Sequence, residues 1–557
     1  MTSRTGGQIL VDQLKVHGTS HVFCVPGESY LAVLDALHDA EIRTIVCRQE
    51  GGAAYMAEAA GKITGRPGIV MVTRGPGATN ASCGIHEASQ DSTPLIMFVG
   101  QVARDMKERE AFQELDYKSV FGSMAKWVVE IDRAERIPEI VSRAFHVATQ
   151  GRPGPVVIAL PEDMLTDEAE VADAPPFAPA VTKPGADDME ALQRRLLAAK
   201  NPILLAGGSG WSEQGVKDLA RFAEAFDLPV AVTFRRQMLF PADHPNFAGD
   251  LGIGPNPKLL DRVKQADLVL LVGGRLSEMP SQSYTLLDIP GDGSKLVHIH
   301  PGAEELNKVY RAGLGILATP HAVAAAAAGL PKPNAVAWAG SAAAAHAEYL
   351  AWSDTAKIRT AGDLQMAEVM AHLREAMPAD TVYCNGAGNY ATWVHRFWPF
   401  RSFASQLAPT SGTMGYGVPA SVAAKALQPH REVIAFAGDG CFLMNGQEFA
   451  TAMQYHLPVI VVVVDNGMYG TIRMHQEREY PGRISATALR NPDFAALVRA
   501  YGGHGETVRK TEEFGPALAR ARNSGTAAII HCLIDPEAIT PARSLSDIRN
   551  AALNARG

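Results

Sequence analysis

The sequence predicts an α/β protein built of three doubly wound parallel-sheet domains. Short runs of β-branched and other apolar residues alternate with helix-length segments along the whole chain. These runs show no polar alternation, which is typical of strands that helices cover on both faces. The chain has 557 residues, too many for one hydrophobic core. The predicted strands include VFCV, TIVC, GIVMVT, LIMFVG, VVIAL, PILLAGG, LPVAVT, LVLLVGG, VIAFAG and VIVVVVD.

Two stretches separate the predicted domains. Ala172–Gly185 is rich in proline and alanine, and Leu330–Gly340 follows an alanine-rich segment. Both compositions favour exposed connectors. The predicted domains are therefore 1–170, 186–330 and 360–557.

Composition excludes several classes of function. The net charge is −8 and no long run of lysine or arginine occurs, which argues against nucleic acid or a membrane surface as partner. The six cysteines form no Cys-x-x-Cys pair, so we expect buried apolar side chains and neither disulfides nor a zinc site. The N-terminus lacks the apolar stretch of a secretion signal, and apolar runs such as Leu457–Val464 are strand-sized. We expect a cytoplasmic protein.

The most informative motif lies in the last domain. A strand leads into Gly438-Asp439-Gly440, a helix follows, and a second strand ends just before Asn466. A right-handed crossover puts both strand ends on one sheet edge, so Asp439 and Asn466 converge there. With a backbone carbonyl near Met468 they offer the oxygen ligands that Mg²⁺ prefers, and two phosphate oxygens and a water complete the octahedron. The glycines let backbone N–H groups approach a diphosphate.

The alternative is that an Asp-Gly pair is only a turn. A second copy of the motif, Gly291-Asp292-Gly293, serves as an internal control. It has Thr319 where the first copy has asparagine, and it follows a proline instead of a buried strand. We interpret this copy as a surface turn.

The metal motif resembles the diphosphate-binding motif of thiamine-diphosphate-dependent enzymes. Five further segments, spread over the chain, are similar to the acetolactate synthase large subunit. They are MAEAA at 56–60, RGPGATN at 74–80, VGQV at 99–102, EAFQE at 110–114 and GTMGYGVPA at 412–420.

The resemblance implies an architecture and a partner. The first domain would bind the pyrimidine ring of thiamine diphosphate and the last its diphosphate, with Mg²⁺. Members of the family differ in the middle domain, which implies either an FAD site or none. Two Gly-rich segments, Leu204–Glu213 and Leu271–Glu278, are the candidate loops for FAD. In this family the active site lies between two subunits, so a homodimer or homotetramer is expected.

The resemblance also assigns roles to single residues. Glu50 matches the glutamate that shares a proton with N1′ of the aminopyrimidine ring; the alternative is a helix N-terminal acid stabilised by the dipole. Gly412 would accept a hydrogen bond from the 4′-amino group, and Met414 would wedge between the two rings. Thr413 lies between them in the sequence. The alternative for Met414 is an ordinary core position.

Other positions match the family more loosely. Gly75, Pro76 and Asn80 would border the pyrimidine ring, and Asn389 lies where the family usually has Gln-His for further diphosphate contacts. Met468, Tyr469 and Gly470 would complete the diphosphate loop. Gln113, with Gln101, Phe112 and Lys126, matches positions near the substrate.

Two departures from acetolactate synthases keep the reaction open. His475 occupies the position of a tryptophan that shapes the acceptor pocket, and Glu28 replaces a small residue. Both are either acid–base groups or surface residues. The paired histidines of pyruvate decarboxylases are absent from the sequence.

The leading hypothesis is a carboligase that decarboxylates pyruvate or a related 2-keto acid and joins it to a second carbonyl. The alternative is a decarboxylase or C–C lyase that releases an aldehyde from another substrate. An inactive paralogue is the third possibility, against which the retention of Glu50, Asp439 and Asn466 argues.

Overall fold

Three six-stranded, fully parallel sheets form the framework of the chain. They are seen in a computed structural model that describes residues 2–556. A short antiparallel pair, Arg4–Thr5 with Glu168–Ala169, forms a separate two-stranded sheet. The predicted fold class, three parallel-sheet α/β domains, is confirmed.

The first sheet comes from the N-terminal third of the chain. Its strand order is β2-β1-β3-β4-β6-β5. The strands are β1 His21–Cys24, β2 Arg43–Val46, β3 Gly68–Val72, β4 Leu95–Gln101, β5 Trp127–Glu130 and β6 Pro155–Pro161. The helices are α1 Gly6–Val16, α2 Leu31–His38, α3 Glu50–Thr64, α4 Gly75–Asp91, α5 Tyr117–Phe121 and α6 Ile137–Thr149.

The second sheet comes from the middle of the chain. Its strand order is β9-β8-β7-β10-β11-β12. The strands are β7 Pro202–Ala206, β8 Val230–Thr233, β9 Phe247–Leu251, β10 Leu268–Val272, β11 Leu296–His300 and β12 Leu314–Leu317. The helices are α7 Ala186–Ala198, α8 Glu213–Phe226, α9 Pro257–Gln265, α10 Pro320–Ala328 and α11 Ser341–Trp352.

The third sheet comes from the C-terminal part. Its strand order is β14-β13-β15-β16-β18-β17. The strands are β13 Val382–Asn385, β14 Gln406–Leu407, β15 Val433–Gly438, β16 Ile460–Asp465, β17 His504–Val508 and β18 Ala528–Leu533. The helices are α12 Met366–Ala376, α13 Ala391–Phe397, α14 Gly417–Leu427, α15 Asp439–Asn445, α16 Phe449–Gln454, α17 Gly470–Glu479, α18 Phe494–Ala500, α19 Thr511–Asn523 and α20 Leu545–Asn554.

Helices cover both faces of these sheets, which explains why the strands lack polar alternation. In β7, Leu204 and Ala206 pack against α7, α8 and α10. The intervening Ile203 and Leu205 face the opposite cluster, which includes side chains of α9. Because neighbouring side chains of a strand point to opposite faces, both sets must be apolar when both faces are covered.

The chain divides into two compact units. The first runs through Ala180 and includes Val422–Leu427 and Gln447–Tyr455; the second contains the rest, with the middle and C-terminal sheets. No helix within residues 2–556 combines the length and the apolar character that a membrane span requires.

The two predicted connectors lack helices and strands, but they are not wholly exposed. Phe177 is buried, and its N–H donates to Nδ1 of His17 at 3.1 Å. Trp338 is buried, and its indole N–H donates to the carbonyl of Phe226 at 2.9 Å. Tyr349 of α11 packs edge-on against Phe247 of β9. Each connector is therefore anchored by one aromatic ring, and α11, which follows the second connector, packs against the middle sheet.

Ligands of open α/β sheets bind beside a point where the strand order reverses, at the carboxyl ends of the strands. In the third sheet the reversal lies between β13 and β15. Helix α15 begins at Asp439 directly after β15, and the loop after β13 contains Asn389, so both predicted cofactor residues lie at this edge.

Candidate functional site

A cleft of about 210 Å³ opens at the reversal of the third sheet. Gly438, Asp439 and Gly440 line it from the end of β15. From the end of β16 it is lined by the second half of the predicted motif, which consists of Asn466, Met468, Tyr469 and Gly470. The crossover thus brings the two halves of the motif together, as the sequence predicts.

The Asp439 carboxylate organises this edge of the cleft. Its side chain is buried, and Oδ1 accepts the N–H of Gly440 at 2.9 Å. Oδ2 accepts the N–H of Met468 at 3.1 Å and the amide of Asn491 at 2.7 Å. Asn491 also donates to Oδ1 of Asp465 at 2.8 Å. Sequence reasoning missed Asn491, which bridges two carboxylates from a loop with no recognisable motif.

Two buried carboxylates lie side by side at this point. Burial raises the pKa of Asp439 to about 6, and the neighbouring Asp465 carboxylate contributes to the rise. Burial acts in the same direction on Asp465, but hydrogen bonds from His531 and Gly467 outweigh it and lower the pKa of that carboxyl. The Asp465 Oδ2 lies 2.9 Å from Nε2 of His531. Within residues 2–556 the Asp439 carboxylate accepts hydrogen bonds but forms no ion pair, and oxygen-rich carboxylate and amide groups of this kind suit Mg²⁺.

Glycine is required on both sides of Asp439. A Cβ atom at Gly438 would lie 2.8 Å from Cδ1 of Tyr390, and one at Gly440 would lie 2.5 Å from Cε1 of Tyr469. The backbone therefore lies against two aromatic rings that line the cleft with it. A phosphate group can approach this backbone closely, as the sequence predicts for a diphosphate site.

A second loop supplies the facing side of the cleft. Gly412 has a φ of 77° and lines the cleft with Met414, whose side chain packs against the C-terminal core. Thr413 donates through Oγ1 to the carbonyl of Met414 at 3.3 Å. The N–H of Gly415 donates to the Cys441 sulfur at 3.1 Å.

Cys441 departs from the expectation that the cysteines are buried apolar side chains. All six thiols are free, but the buried Cys441 sulfur also accepts the hydroxyl of Tyr390 at 3.1 Å. Together with the bond from Gly415, this links the loop that bears Met414 to helix α15. Cysteine is therefore a hydrogen-bonding element of the site.

Asn389 lines the cleft, but its side chain is engaged by helix α17. Its Oδ1 accepts the hydroxyl of Thr471 at 3.0 Å, and its Nδ2 lies 3.5 Å from the sulfur of Met474. The N–H of Asn389 in turn donates to Oγ1 of Thr471 at 3.0 Å. The side chain of Asn389 therefore fixes the α17 terminus as well as facing the cleft.

Apolar residues from the end of the chain close the cleft. Ile472 of α17 lies on one wall, and Ile534, Ala538 and Ile539 follow β18. Ile539 packs with Leu545 and Ile548 near α20 in a small separate cluster. The sequence shows no periodic signal over 534–539, and only the fold reveals that this segment belongs to the site.

In the first unit, Glu50 is the first residue of α3. Its Oε2 accepts the side-chain amide of Asn80 at 3.0 Å, and a Cβ atom at Gly77 would lie 3.4 Å from Oε1. Gln49 caps α3 by accepting the N–H of Gly52 at 3.0 Å. The structure thus brings together the glutamate and the asparagine that the resemblance assigns to the pyrimidine side.

The segment that leads into Glu50 is held by a buried acid that sequence reasoning missed. Glu448 is fully buried, and its carboxylate accepts the N–H groups of Arg48 and Gln49, both at 3.0 Å. It also accepts the hydroxyl of Thr451 at 2.6 Å. Only the fold brings Glu448 to this point, since about 400 residues separate the partners.

Gln113 lies beside the loop of Gly75 and Pro76, which open α4. The N–H of Gly75 donates to the carbonyl of Gln113 at 3.0 Å, and Gln113 has a φ of 65°. Gln101 donates to the carbonyl of Leu115 at 2.9 Å in the same loop region, and the Phe112 ring is exposed.

The remaining candidates occupy diverse positions. Glu28 is exposed, and its Oε1 accepts Nη1 of the buried Arg74 at 3.3 Å. His475 is bonded to Arg478 at 2.7 Å and does not line the cleft described above. Burial lowers the pKa of His475. Lys126 precedes β5 at the amino edge of the first sheet, whereas Glu50 follows β2 at the carboxyl edge. Catalytic roles for Glu28, Gln113 and His475 stay predictions.

Comparison with known proteins agrees with this geometry. The N-terminal TPP-binding domain of thiamine pyrophosphate enzymes matches residues 4–120, the central domain matches 189–327 and the C-terminal TPP-binding domain matches 386–532. The acetolactate synthase large subunit of Corynebacterium glutamicum is 31% identical over 94% of this chain and 86% of its own length. The isozyme 2 large subunit of Escherichia coli is 31% identical over 95% of both chains. The large subunit of Lactococcus lactis is 32% identical over 89% of this chain and 87% of its own. The chain therefore belongs to the thiamine pyrophosphate enzyme family.

Proposed function

We propose that this protein is a thiamine-diphosphate-dependent carboligase that decarboxylates pyruvate or a related 2-keto acid and joins the product to a second carbonyl compound. The observation that carries the proposal is the convergence of Asp439, Asn466, Gly412 and Met414 on one cleft. The similarity to acetolactate synthase large subunits along nearly the whole chain supports the choice of reaction.

Asp439, Asn466 and the Met468 carbonyl are the proposed ligands of a Mg²⁺ ion. The fit rests on the buried Asp439 carboxylate beside Asp465, since a divalent cation would offset the repulsion between two acids. The ion would hold the diphosphate against the backbone of Gly440. Helix α17, which begins at Gly470, adds the partial positive charge of its N-terminus.

When bound, thiamine diphosphate supplies an electron sink for the decarboxylation of a 2-keto acid. Two loops would orient it: the Gly412 carbonyl would accept from the 4′-amino group, and Met414 would fill the space between the two rings. Glu50 would hold a proton at N1′ of the pyrimidine ring, and Asn80 fixes the Glu50 carboxylate through Oε2. The apolar wall that includes Ile472 and Ile539 excludes water from the reacting carbon.

A homodimer or homotetramer with shared active sites is part of the proposal. In this family one subunit contributes the pyrimidine side and another contributes the diphosphate side. Glu50 and Asp439 would accordingly meet across two copies of the chain.

A second function, decarboxylation or C–C cleavage of another substrate, is favoured by one observation. Glu28 is an exposed carboxylate that Arg74 holds in place, where acetolactate synthases have a small residue. A fixed carboxyl group, in its protonated form, could donate that proton to a carbanion carbon, so that an aldehyde would be released before a second carbonyl reacts. His475 could also act as a proton donor if it reached the substrate.

An FAD site in the middle domain stays a prediction. The Trp211 indole donates to the Gly207 carbonyl at 2.8 Å, and Arg236 donates to the Gly208 carbonyl at 2.8 Å. A Cβ atom at Gly208 would lie 1.8 Å from the carbonyl oxygen of Gly273, so the two candidate loops lie in contact.

Incubation of the purified protein with pyruvate, Mg²⁺ and thiamine diphosphate tests the proposal. A carboligase forms 2-acetolactate, whereas a decarboxylase forms acetaldehyde, and the two products are separated by chromatography. The Glu50→Gln variant is the control: it should bind the cofactor but lose turnover, since glutamine cannot hold the proton. Acetaldehyde as sole product would reject ligation, and full turnover of Glu50→Gln would reject the assigned role of Glu50.

A further inference from the structure

We propose that Arg235 is a positioning residue that fixes the two loops bearing Gly412 and Asn389 and thereby sets cofactor affinity. The inference rests on the proposed cofactor site and adds to it a residue of the middle domain. Arg235 lies just after β8, outside the motif and outside the cleft lining.

The Arg235 guanidinium joins two loops that follow the paired strands β13 and β14. It is buried and donates from Nη1 to the carbonyl of Pro409 and from Nη2 to the carbonyl of Gly386 at 3.2 Å. The Pro409 carbonyl also accepts the N–H of Gly412 at 3.1 Å, which closes the turn. One oxygen atom thus connects Arg235 directly to the predicted acceptor of the 4′-amino group.

The second contact reaches the other side of the cleft. Gly386 follows β13 directly, and the same short loop continues through Gly388 to Asn389, both of which line the cleft. A planar guanidinium presents several donors in a fixed arrangement, so one side chain can hold two carbonyls at a set separation. Lysine has a single ammonium group on a flexible stem and cannot reproduce that geometry.

The backbone of Arg235 is itself held in an unusual conformation. Its φ is 58°, in the left-handed region that a long side chain rarely adopts. Such a conformation persists only where the surroundings enforce it, and it often marks a functional position. Here Gln237, two residues further along the chain, supplies the restraint. Its N–H donates to Oε1 of Gln406 at 2.7 Å, and Nε2 of Gln406 donates back to Oε1 of Gln237 at 2.8 Å.

Gln237 ties the segment to a third position of the C-terminal domain. Its Nε2 donates to the carbonyl of His395 at 2.6 Å. The Arg235 guanidinium also lies 4.7 Å from the centre of the Phe234 ring. Because the base of the side chain is fixed at several points, displacement of the guanidinium alone would release both loops of the cleft.

The test compares Arg235→Lys and Arg235→Met with a matched control, Arg374→Met. Arg374 is a partly buried arginine that likewise joins two backbone carbonyls, those of Phe397 and Ser353, and neither carbonyl lines the cleft. Apo protein with excess Mg²⁺ is titrated with thiamine diphosphate. Quenching of tryptophan fluorescence reports binding because Trp393 lines the cleft, and calorimetry checks the result.

We expect the Kd for thiamine diphosphate to rise by about tenfold or more in Arg235→Met, which corresponds to about 1.4 kcal/mol of binding free energy or more. The rise should be smaller in Arg235→Lys, because lysine keeps one donor group. The control should lower the Tm of the apo protein and leave the Kd within about twofold. A higher cofactor concentration should restore turnover of Arg235→Lys, because the groups that act on the cofactor remain.

An unchanged Kd in both Arg235 variants would overturn the inference, as would an equal rise in Arg374→Met. If Arg235→Met does not fold, Arg235→Lys decides the question alone. Failure of the wild-type protein to bind thiamine diphosphate would sink the proposed function and this inference together. Normal binding by wild type and variants alike would sink only the inference.

Discussion

The clasp between helices α17 and α20 should be sensitive to pH because a buried carboxylate holds the two helices together. Glu477 of α17 is buried and accepts two hydrogen bonds from Arg549 of α20, at 2.7 and 2.6 Å. It also accepts bonds from Arg473 and from the N–H of Gly482. Since α17 carries Ile472 on the cleft wall, the clasp links the C-terminal helix to the site.

The size of the effect follows from the acid's pKa. The hydrogen bond from Arg549, together with those from Gly482 and Arg473, lowers the pKa of Glu477 from its ordinary 4.5 to about 2 against the opposing effect of burial. One pKa step equals about 1.4 kcal/mol, so the charged form of Glu477 contributes up to about 3 kcal/mol. Glu477→Gln should therefore lower the free energy of opening of α20 by about that amount at pH 7.

The sign of the pH dependence is fixed by a lowered folded-state pKa. The contribution is fully present above the unfolded-state pKa near 4.5 and is lost as the pH falls through about 2. The free energy of opening of α20 should therefore differ strongly between the wild-type protein and Glu477→Gln at neutral pH. This difference should narrow steadily below about pH 4.5.

Hydrogen–deuterium exchange of the α20 amides measures this local opening directly. Exchange should be about 100-fold faster in Glu477→Gln at pH 7, corresponding to about 3 kcal/mol. The matched control is Glu479→Gln, because Glu479 is exposed and its ion pair with Arg478 is worth little. Exchange in Glu477→Gln within about threefold of wild type would refute the argument from the pKa.

Three further predictions concern the site itself. Asp439→Ala should lose Mg²⁺ and thiamine diphosphate together in calorimetric titrations. The control, Asp292→Ala in the exposed second copy of the motif, should bind both normally, and equal losses in the two variants would reject the motif assignment. Asn491→Leu leaves two buried carboxylates without their shared donor and should raise the Kd for Mg²⁺ by about tenfold, at 1–3 kcal/mol per unsatisfied group; an unchanged Kd would limit Asn491 to packing. Glu448→Gln places an amide donor against the backbone N–H groups that precede Glu50, and it should lower kcat by about tenfold or more with normal cofactor affinity. An unchanged kcat in this variant would contradict the positioning role of Glu448.

Much of the fold could be predicted from the sequence because the deciding signals are local. Apolar runs without alternation indicate strands buried on both faces, and handedness then brings Asp439 and Asn466 to one edge without knowledge of the packing. The surface turn at Asp292 was predicted for the same reason: no buried strand leads into it. In the structure Asp292 is exposed, and its Oδ1 accepts the N–H of Ser294 at 2.8 Å.

The burial of the connectors could not be predicted from their composition. Proline and alanine favour an exposed chain. The burial of one aromatic ring, however, stabilises the folded state more than the exposure of several small residues destabilises it. Phe177 and Trp338 each find a groove that other parts of the chain form. Composition averages over a segment, whereas burial is decided residue by residue.

The sequence by itself determined the period of the strands, the handed crossover and the residues of the metal motif, because these depend on neighbours along the chain. Only the tertiary structure decided which distant groups hold that motif in place. Asn491 reaches Asp439, Glu448 reaches the segment before Glu50, and Arg235 reaches the turn before Gly412, each from a separate part of the chain. Such bonds depend on where folded elements end in space, and no local pattern encodes that distance.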